Sequence, residues 1–194
     1  MQEILPLATI QNAVLEFMRG REDAILFGAQ AVNAYVDEPR MTQDIDILSP
    51  RAEALAVELQ AYLHNRFQIA IRVRKVAEGM GFRIYQIRKE GNRHLVDLRE
   101  VDTPPASQRI AEVLVATPPE LIARKVIAYH QRRGSPKSGT DWRDIALLLL
   151  TFPELKMETG PVSERMQTLG ADPAAVTTWK EIIAQEIPAQ DDEY

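Results

Sequence analysis

A chain of 194 residues, 45% hydrophobic and 26% charged, is long enough to bury a real core without disulfide or metal staples. It has no cysteine and three histidines, which excludes disulfides, thiolate zinc sites, iron–sulfur clusters and cysteine nucleophiles and argues against a His-rich metal site. A net charge of −5 speaks against a general nucleic-acid coat protein, and the longest apolar run, 145–150, is far too short to cross a bilayer.

The first residues, MQEILPLATIQNAV, lack the basic start and long apolar stretch of a secretion signal, so a cytoplasmic protein is expected. Apolar residues at 10, 13, 14, 17 and 18 predict a helix. Residues 24–27 read as a short buried strand ending at Gly28, and the Ala-rich 29–36 as a two-turn helix broken before Pro39. Residues 44–48, DIDIL, alternate strictly, as a half-buried strand does. Ser49 and Pro50 read as N-cap and first residue of a helix reaching Asn65. Three strand-like runs follow: 67–76, 82–88 and 94–101. A turn at Gly79-Met80-Gly81 separates the first two, and Glu90-Gly91-Asn92 joins the second and third as a hairpin. The chain is expected to be loop-like from Thr103.

Thr117-Pro118-Pro119-Glu120 opens a helix to about Arg133. A polar loop covers 134–140, and a helix runs from Asp141 to Phe152. Two more helices fit 162–169 and 173–186. The expected organisation is α/β (α+β) over about 1–115, followed by a helical part over 116–194 packed on it as one compact unit. No repeat or low-complexity segment interrupts it.

Charge is uneven along this chain. Residues 66–99 hold nine Lys/Arg (66, 72, 74, 75, 83, 88, 89, 93 and 99) against three acids, while the end carries Asp191-Asp192-Glu193. Most of these cations read as solvated strand faces. The stretch as a whole would also suit a phosphate-rich ligand.

The strongest chemical signal is Arg40-Met41-Thr42-Gln43-Asp44-Ile45-Asp46. Side chains alternate along a strand, so Asp44 and Asp46 share a face, about 7 Å apart. Two such carboxylates repel each other unless a divalent cation sits between them. Oxygen donors without His or Cys nearby point to Mg²⁺ or Mn²⁺ rather than zinc. An exposed edge strand with solvated acids is the bland alternative. Gly28, between a strand and a helix, would present backbone N–H groups to a phosphate. Asp97, between Val96 and Leu98, points to the side of Asp44 and Asp46 and is a candidate third carboxylate. Lys125 lies among Ile122, Val126 and Ile127, either snorkelling or reaching a cleft. Lys137 falls in the predicted loop, Asp141 at a helix N-cap, and Asp144 one turn on, where it would complement the helix dipole.

The order Ile25-Leu26-Phe27-Gly28-Ala29-x-Ala31, then Arg40-x-Thr42-x-Asp44-Ile45-Asp46, resembles the nucleotidyltransferase superfamily of polymerase-beta-like fold. Within it, the closest branch is that of the AbiEii-type toxins of abortive-infection and toxin–antitoxin systems. The resemblance covers about 20–150 and implies a mixed sheet flanked by helices. It implies transfer of NMP from an NTP to an acceptor hydroxyl with release of pyrophosphate. It further implies Asp44, Asp46 and Asp97 as Mg²⁺ or Mn²⁺ ligands, with Asp97 as a ligand or base. Gly28 and Ala29 would form the phosphate turn, Arg40 would position that turn or a phosphate, Thr42 would order the Asp44 loop through its hydroxyl, Lys125 or Lys137 would neutralise the triphosphate, and Asp144 would join the nucleotide-binding residues. The family's second turn glycine is Ala29 here, and alanine resists positive φ. The implied partners are an NTP, an RNA end such as tRNA, and a cognate antitoxin, with no membrane. A small hydroxylated acceptor such as an aminoglycoside, and a catalytically silent nucleotide- or RNA-binding domain, are the alternatives.

Overall fold

The structure is a computed structural model that describes residues 5–76 and 81–188. The expected turn at Gly79-Met80 and the acidic end at Asp191, Asp192 and Glu193 lie outside these residues. Contacts divide the chain into two compact units. One holds the residues up to Ala34 together with Arg40–Ala116, and the other holds Tyr35–Pro39 with the chain from Thr117 onward.

The first unit is a mixed seven-stranded sheet with three helices. Its elements in chain order are α1 (Leu7–Met18), β1 (Ile25–Phe27), α2 (Gly28–Asn33), β2 (Ile45–Ser49), α3 (Ala52–Phe67), β3 (Ile71–Lys75), β4 (Gly81–Gln86), β5 (Arg93–Glu100), β6 (Ser107–Ile110) and β7 (Val113–Ala116). The strand order is β3-β4-β5-β2-β1-β7-β6. β2 runs antiparallel to β1 and parallel to β5. Helix α3 buries Ala52, Leu55, Ala56, Leu59 and Leu63, a stripe of helical spacing, and packs on β2 through β5. The facing strand residues Ile45, Ile47, Ile84 and Val96 are fully buried. At about 25 cal/mol per Å² of apolar surface, each such side chain contributes about 2 kcal/mol. One face of the sheet is thereby committed to the core. Asp46 of β2 and Asp97 of β5 stand on the other.

Three boundaries differ from expectation for identifiable reasons. Ser49 stays in β2 and its Oγ accepts the Arg51 N–H at 3.1 Å, so α3 starts at Ala52. α3 also runs through Phe67 and closes on Gln68 in the left-handed region (φ 53), which shortens the expected 67–76 strand to β3. The segment expected as loop after Thr103 contains the β6–β7 hairpin, whose β7 pairs in parallel with β1. Its turn residues, Ala111 and Glu112, both have positive φ (46 and 66), as a two-residue type I′ turn requires. Neither is the Gly or Asn that announces such a turn in sequence.

The second unit is helical: α4 (Pro118–Gln131), α5 (Pro136–Thr151), α6 (Pro161–Thr168) and α7 (Pro173–Ala184). Each begins with proline, whose missing N–H costs nothing at the first helical position. Ser135-Pro136 thus opens α5 five residues earlier than expected. Lys137 is in its first turn rather than a loop, and Asp141 is interior rather than an N-cap. Trp179 anchors this unit's core at 1% exposure and donates its indole N–H to the Met157 carbonyl. Glu120, fully buried, accepts from Arg124 at 2.6 Å and from Arg165 at 2.5 Å. Removing one partner of a buried pair typically costs about 3–5 kcal/mol. Both arginines reach solvent, so Glu120→Ala is expected at the low end, about 3 kcal/mol, read as a drop in urea midpoint. Among the described residues no helix is long and apolar enough to cross a membrane.

Candidate active site

Register brings the acids together. Asp46 of β2 is the direct neighbour of Asp97 on the parallel strand β5, and directly opposed residues point to the same side of a sheet. The same row continues in both directions. Asp97 faces Arg83 on β4, Arg83 faces Arg74 on β3, and on the other side Asp46 faces Phe27 at the end of β1. One line of side chains therefore crosses five strands on the face opposite α3: Arg74, Arg83, Asp97, Asp46, Phe27. Arg83 Nε donates to Asp97 Oδ1 at 2.9 Å. Arg99, two residues beyond Asp97, stands over the Phe27 ring at 5.3 Å.

Gly28 follows Phe27 and starts α2 with φ +69. A Cβ at this position would stand 2.0 Å from Asp46 Oδ2 and 2.9 Å from Asp46 Cβ. The glycine therefore serves two needs: the left-handed backbone and the close approach of the Asp46 carboxylate. Ala29, in the first turn of α2, has no positive φ to bear. The departure from the family turn leaves the backbone here unstrained.

Asp44 lies in the bend just before β2. Polar side chains of two helices hold the loop leading to it. Asn33, the last residue of α2, accepts the Arg40 N–H at 3.0 Å and donates to the Arg40 carbonyl at 2.8 Å. The buried Thr42 donates its hydroxyl to Gln30 Oε1 at 3.2 Å, and its carbonyl accepts from Gln11 Nε2 at 2.9 Å. Arg40 and Thr42 thus act on Asp44 by fixing the approach of its chain.

His94 is the residue that strand alternation missed. On a regular strand, positions 94 and 97 point to opposite faces. β5 is not regular: Ile84 pairs with Val96 while Tyr85 pairs with His94, so Leu95 is an extra residue. A bulge of this kind re-aims the side chains beyond it, and His94 joins the face of Asp97. Its Nδ1 lies 3.2 Å from Asp44 Oδ2 and its Nε2 lies 3.4 Å from Asp97 Oδ1 and 3.2 Å from the Val96 carbonyl. The Tyr85 ring flanks it at 5.0 Å. Asp44 first, and then Asp97, push the imidazole up to about 10. Burial alone would raise the Asp97 carboxyl, but His94 and Arg83 outweigh it and hold Asp97 below the usual range.

The folded protein holds the His94 proton more tightly than the unfolded chain does. The stabilisation is therefore fully present below pH about 6.5 and is lost as pH rises through about 10. The urea midpoint of the metal-free protein should fall across that window. The fall should be shallower in His94→Gln.

Asp44, His94 and Asp97 each offer one ligand atom, and these atoms lie within 4.8 Å of one another. This compact, half-buried donor set fits a divalent cation. Asp46 stands beside it through its register with Asp97 and its contact with Gly28.

The remaining candidates belong to the second unit. Lys125 of α4 reaches Asp144 at 2.7 Å and Asp141 at 3.3 Å, both on α5, and Arg132 reaches the other oxygen of Asp141 at 2.9 Å. Asp141 and Asp144 are almost wholly buried, so Lys125 compensates two carboxylates that would otherwise be costly to bury. Lys137 lies one turn before Asp141 on the same helix.

Comparison with known proteins bears on the family and the fold. Residues 13–159 match the family model described as nucleotidyl transferase AbiEii toxin, type IV TA system. The structure resembles JHP933 from Helicobacter pylori, with a TM-score of 0.61 at 14% identity over 94% of this chain and 81% of that one. It resembles the Megavirus polyadenylate synthase equally well by TM-score, 0.61, at 13% identity over 76% of this chain, but spans only 32% of that protein. ANT(2")-Ia, solved in complex with adenylyl-2"-tobramycin, gives a TM-score of 0.50 at 16% identity over 92% of this chain and 97% of that one. At such identities the likeness is one of fold. No curated protein sequence matches the chain.

Proposed function

The chain belongs to the AbiEii nucleotidyl transferase family, and from that premise we propose that it transfers a nucleoside monophosphate from an NTP to the hydroxyl of an RNA end, with a divalent cation, as the toxin of a toxin–antitoxin pair. The observation that carries the reading is the in-register Asp46–Asp97 pair beside Gly28, with Asp44 at the head of the same strand. A divalent cation bound by these carboxylates supplies charge neutralisation for the triphosphate and for the entering and leaving oxygens. In the reaction the acceptor oxygen bonds to the α-phosphorus, the bond to the bridging oxygen breaks, and pyrophosphate leaves. Asp97, ionised beside the Arg83 guanidinium, serves as a cation ligand or as the base that takes the hydroxyl proton. Gly28 and Ala29 offer backbone N–H groups to the phosphates.

The acceptor is argued from charge. Arg74 and Arg83 are exposed and lead in one row from the sheet edge to Asp97, with Arg72 in the adjacent row opposite Tyr85. Arg74 also stands over the Tyr85 ring at 5.9 Å. Guanidinium groups next to an aromatic ring suit a phosphodiester strand better than a polycationic aminoglycoside.

α-Labelled NTPs incubated with the protein, Mg²⁺ or Mn²⁺ and total RNA should label RNA. The Arg72→Ala/Arg74→Ala double variant should weaken RNA use while sparing NTP binding. Label on an added aminoglycoside but not on RNA would contradict the acceptor. Nucleotide binding without transfer, unaffected by a chelator, would contradict the cation-dependent reaction. Expression should arrest growth, and expression of Asp46→Asn should not; equal growth would contradict the toxin role.

A further inference from the structure

We infer that His94 is a direct ligand of the divalent cation alongside Asp44 and Asp97, so that the site prefers a first-row transition-metal ion such as Mn²⁺ over Mg²⁺. This rests on the cation-dependent reading above and goes beyond it. An all-carboxylate site takes Mg²⁺ readily, because Mg²⁺ is a hard ion that keeps oxygen ligands and several waters. An imidazole nitrogen shifts the balance toward transition-metal ions.

Three features of the chain carry the inference. The imidazole stands between the two carboxylates, one ring nitrogen toward each, at 3.2 and 3.4 Å. A cation held by Asp44 or Asp97 therefore lies next to a ring nitrogen, and on bonding to it that nitrogen exchanges its proton for the cation. The second feature is the irregularity at Leu95, without which His94 would point to the core side of the sheet. A bulge interrupts the ladder, and this one's effect is to deliver one nitrogen donor to an acidic face. The third is the restraint on the ring: Tyr85 packs against it on the neighbouring strand. A preorganised ring loses less freedom on ligation than a mobile one.

The test uses Mn²⁺ alone with the full-length, nucleotide-free protein. Mn²⁺ affinity is measured by the electron paramagnetic resonance of the free ion, and Mg²⁺ affinity by competition. Electron spin-echo modulation, with natural-abundance and ¹⁵N-histidine protein, reports a directly bonded imidazole. Wild type should show histidine-nitrogen modulation that vanishes in His94→Gln. The Mn²⁺ dissociation constant should rise at least about tenfold in that variant, since even an outer partner of a ligand is worth about 10–100-fold. Mg²⁺ affinity should stay within about twofold, and circular dichroism should confirm that the variant is folded. Unchanged or tighter Mn²⁺ binding in His94→Gln, or modulation absent from wild type, would overturn the inference and make the ring an obstacle that the cation displaces. Asp44→Asn separates the two levels of the account. If it loses Mn²⁺ while His94→Gln keeps it, only the histidine assignment fails. If wild type binds no Mn²⁺, or Asp44→Asn binds it normally, the cation-dependent reading fails as well.

Discussion

Asp46→Asn is expected to lower nucleotidyl transfer by on the order of 10³-fold while leaving the folded protein at least as stable as wild type. The two halves of this result come from the same register. Asp46 and Asp97 are directly opposed on parallel strands, and like charges in such a pair are unfavourable by a few tenths to about 1 kcal/mol. Neutralising one relieves that repulsion, and asparagine keeps the size that fits beside Gly28. The catalytic half goes the other way. Charge stabilisation of a phosphoryl transition state is worth several kcal/mol, and about 4 kcal/mol corresponds to 10³-fold in rate. Single-turnover label transfer and urea unfolding on the same preparation check both. Lower stability and unimpaired transfer together would identify Asp46 as a structural residue and remove it from the site.

Gly28→Ala is expected to damage both stability and activity, and a second glycine separates the causes. The left-handed backbone at φ +69 costs a non-glycine residue about 1–2 kcal/mol. The new Cβ would also fall 2.0 Å from Asp46 Oδ2, so the carboxylate must move. A misplacement of about 1 Å at a reacting centre can cost about 10²-fold in rate. Gly20 has nearly the same φ, +71, with no atom within 4 Å of its virtual Cβ. Gly20→Ala should therefore lose only the backbone part of that stability and keep its activity. Melting temperature and kcat/KM for the two variants give the comparison. Equal activity in both would mean that the contact with Asp46 has no catalytic consequence.

How far the sequence could be read depended on whether local patterns survive in the fold. DIDIL alternates, and β2 places its two isoleucines in the core and Asp46 on the opposite face. Asp97 sits between Val96 and Leu98, both buried, and local alternation put it on the side of Asp46 although the two strands are about fifty residues apart. Gly28 was legible as a strand-to-helix bend, but not its contact with Asp46, which needs β1 and β2 to be paired. His94 was hidden for a specific reason. A bulge changes the parity of a strand, and nothing in His-Leu-Val-Asp marks Leu95 as the extra residue. The β6–β7 hairpin was hidden because each strand has four residues and Ala111-Glu112 is not a recognised turn pair. At α5, Gly-Ser-Pro-Lys-Ser-Gly reads as loop by composition, yet Ser135-Pro136 is a valid helix start. The expectation of Asp141 as a cap failed for that reason, and Asp141 and Asp144 emerged as one buried pair around Lys125.

The central claim is that Asp44, Asp46 and Asp97 gather a cation and a triphosphate at the Gly28 bend. Crystals grown with Mn²⁺ and a non-hydrolysable NTP analogue test it directly through the anomalous scattering of manganese. The account predicts an anomalous peak within about 2.0–2.6 Å of carboxylate oxygens of this group, touching a phosphate oxygen of the analogue. A nucleotide bound elsewhere, or a manganese peak remote from all three carboxylates, would contradict it.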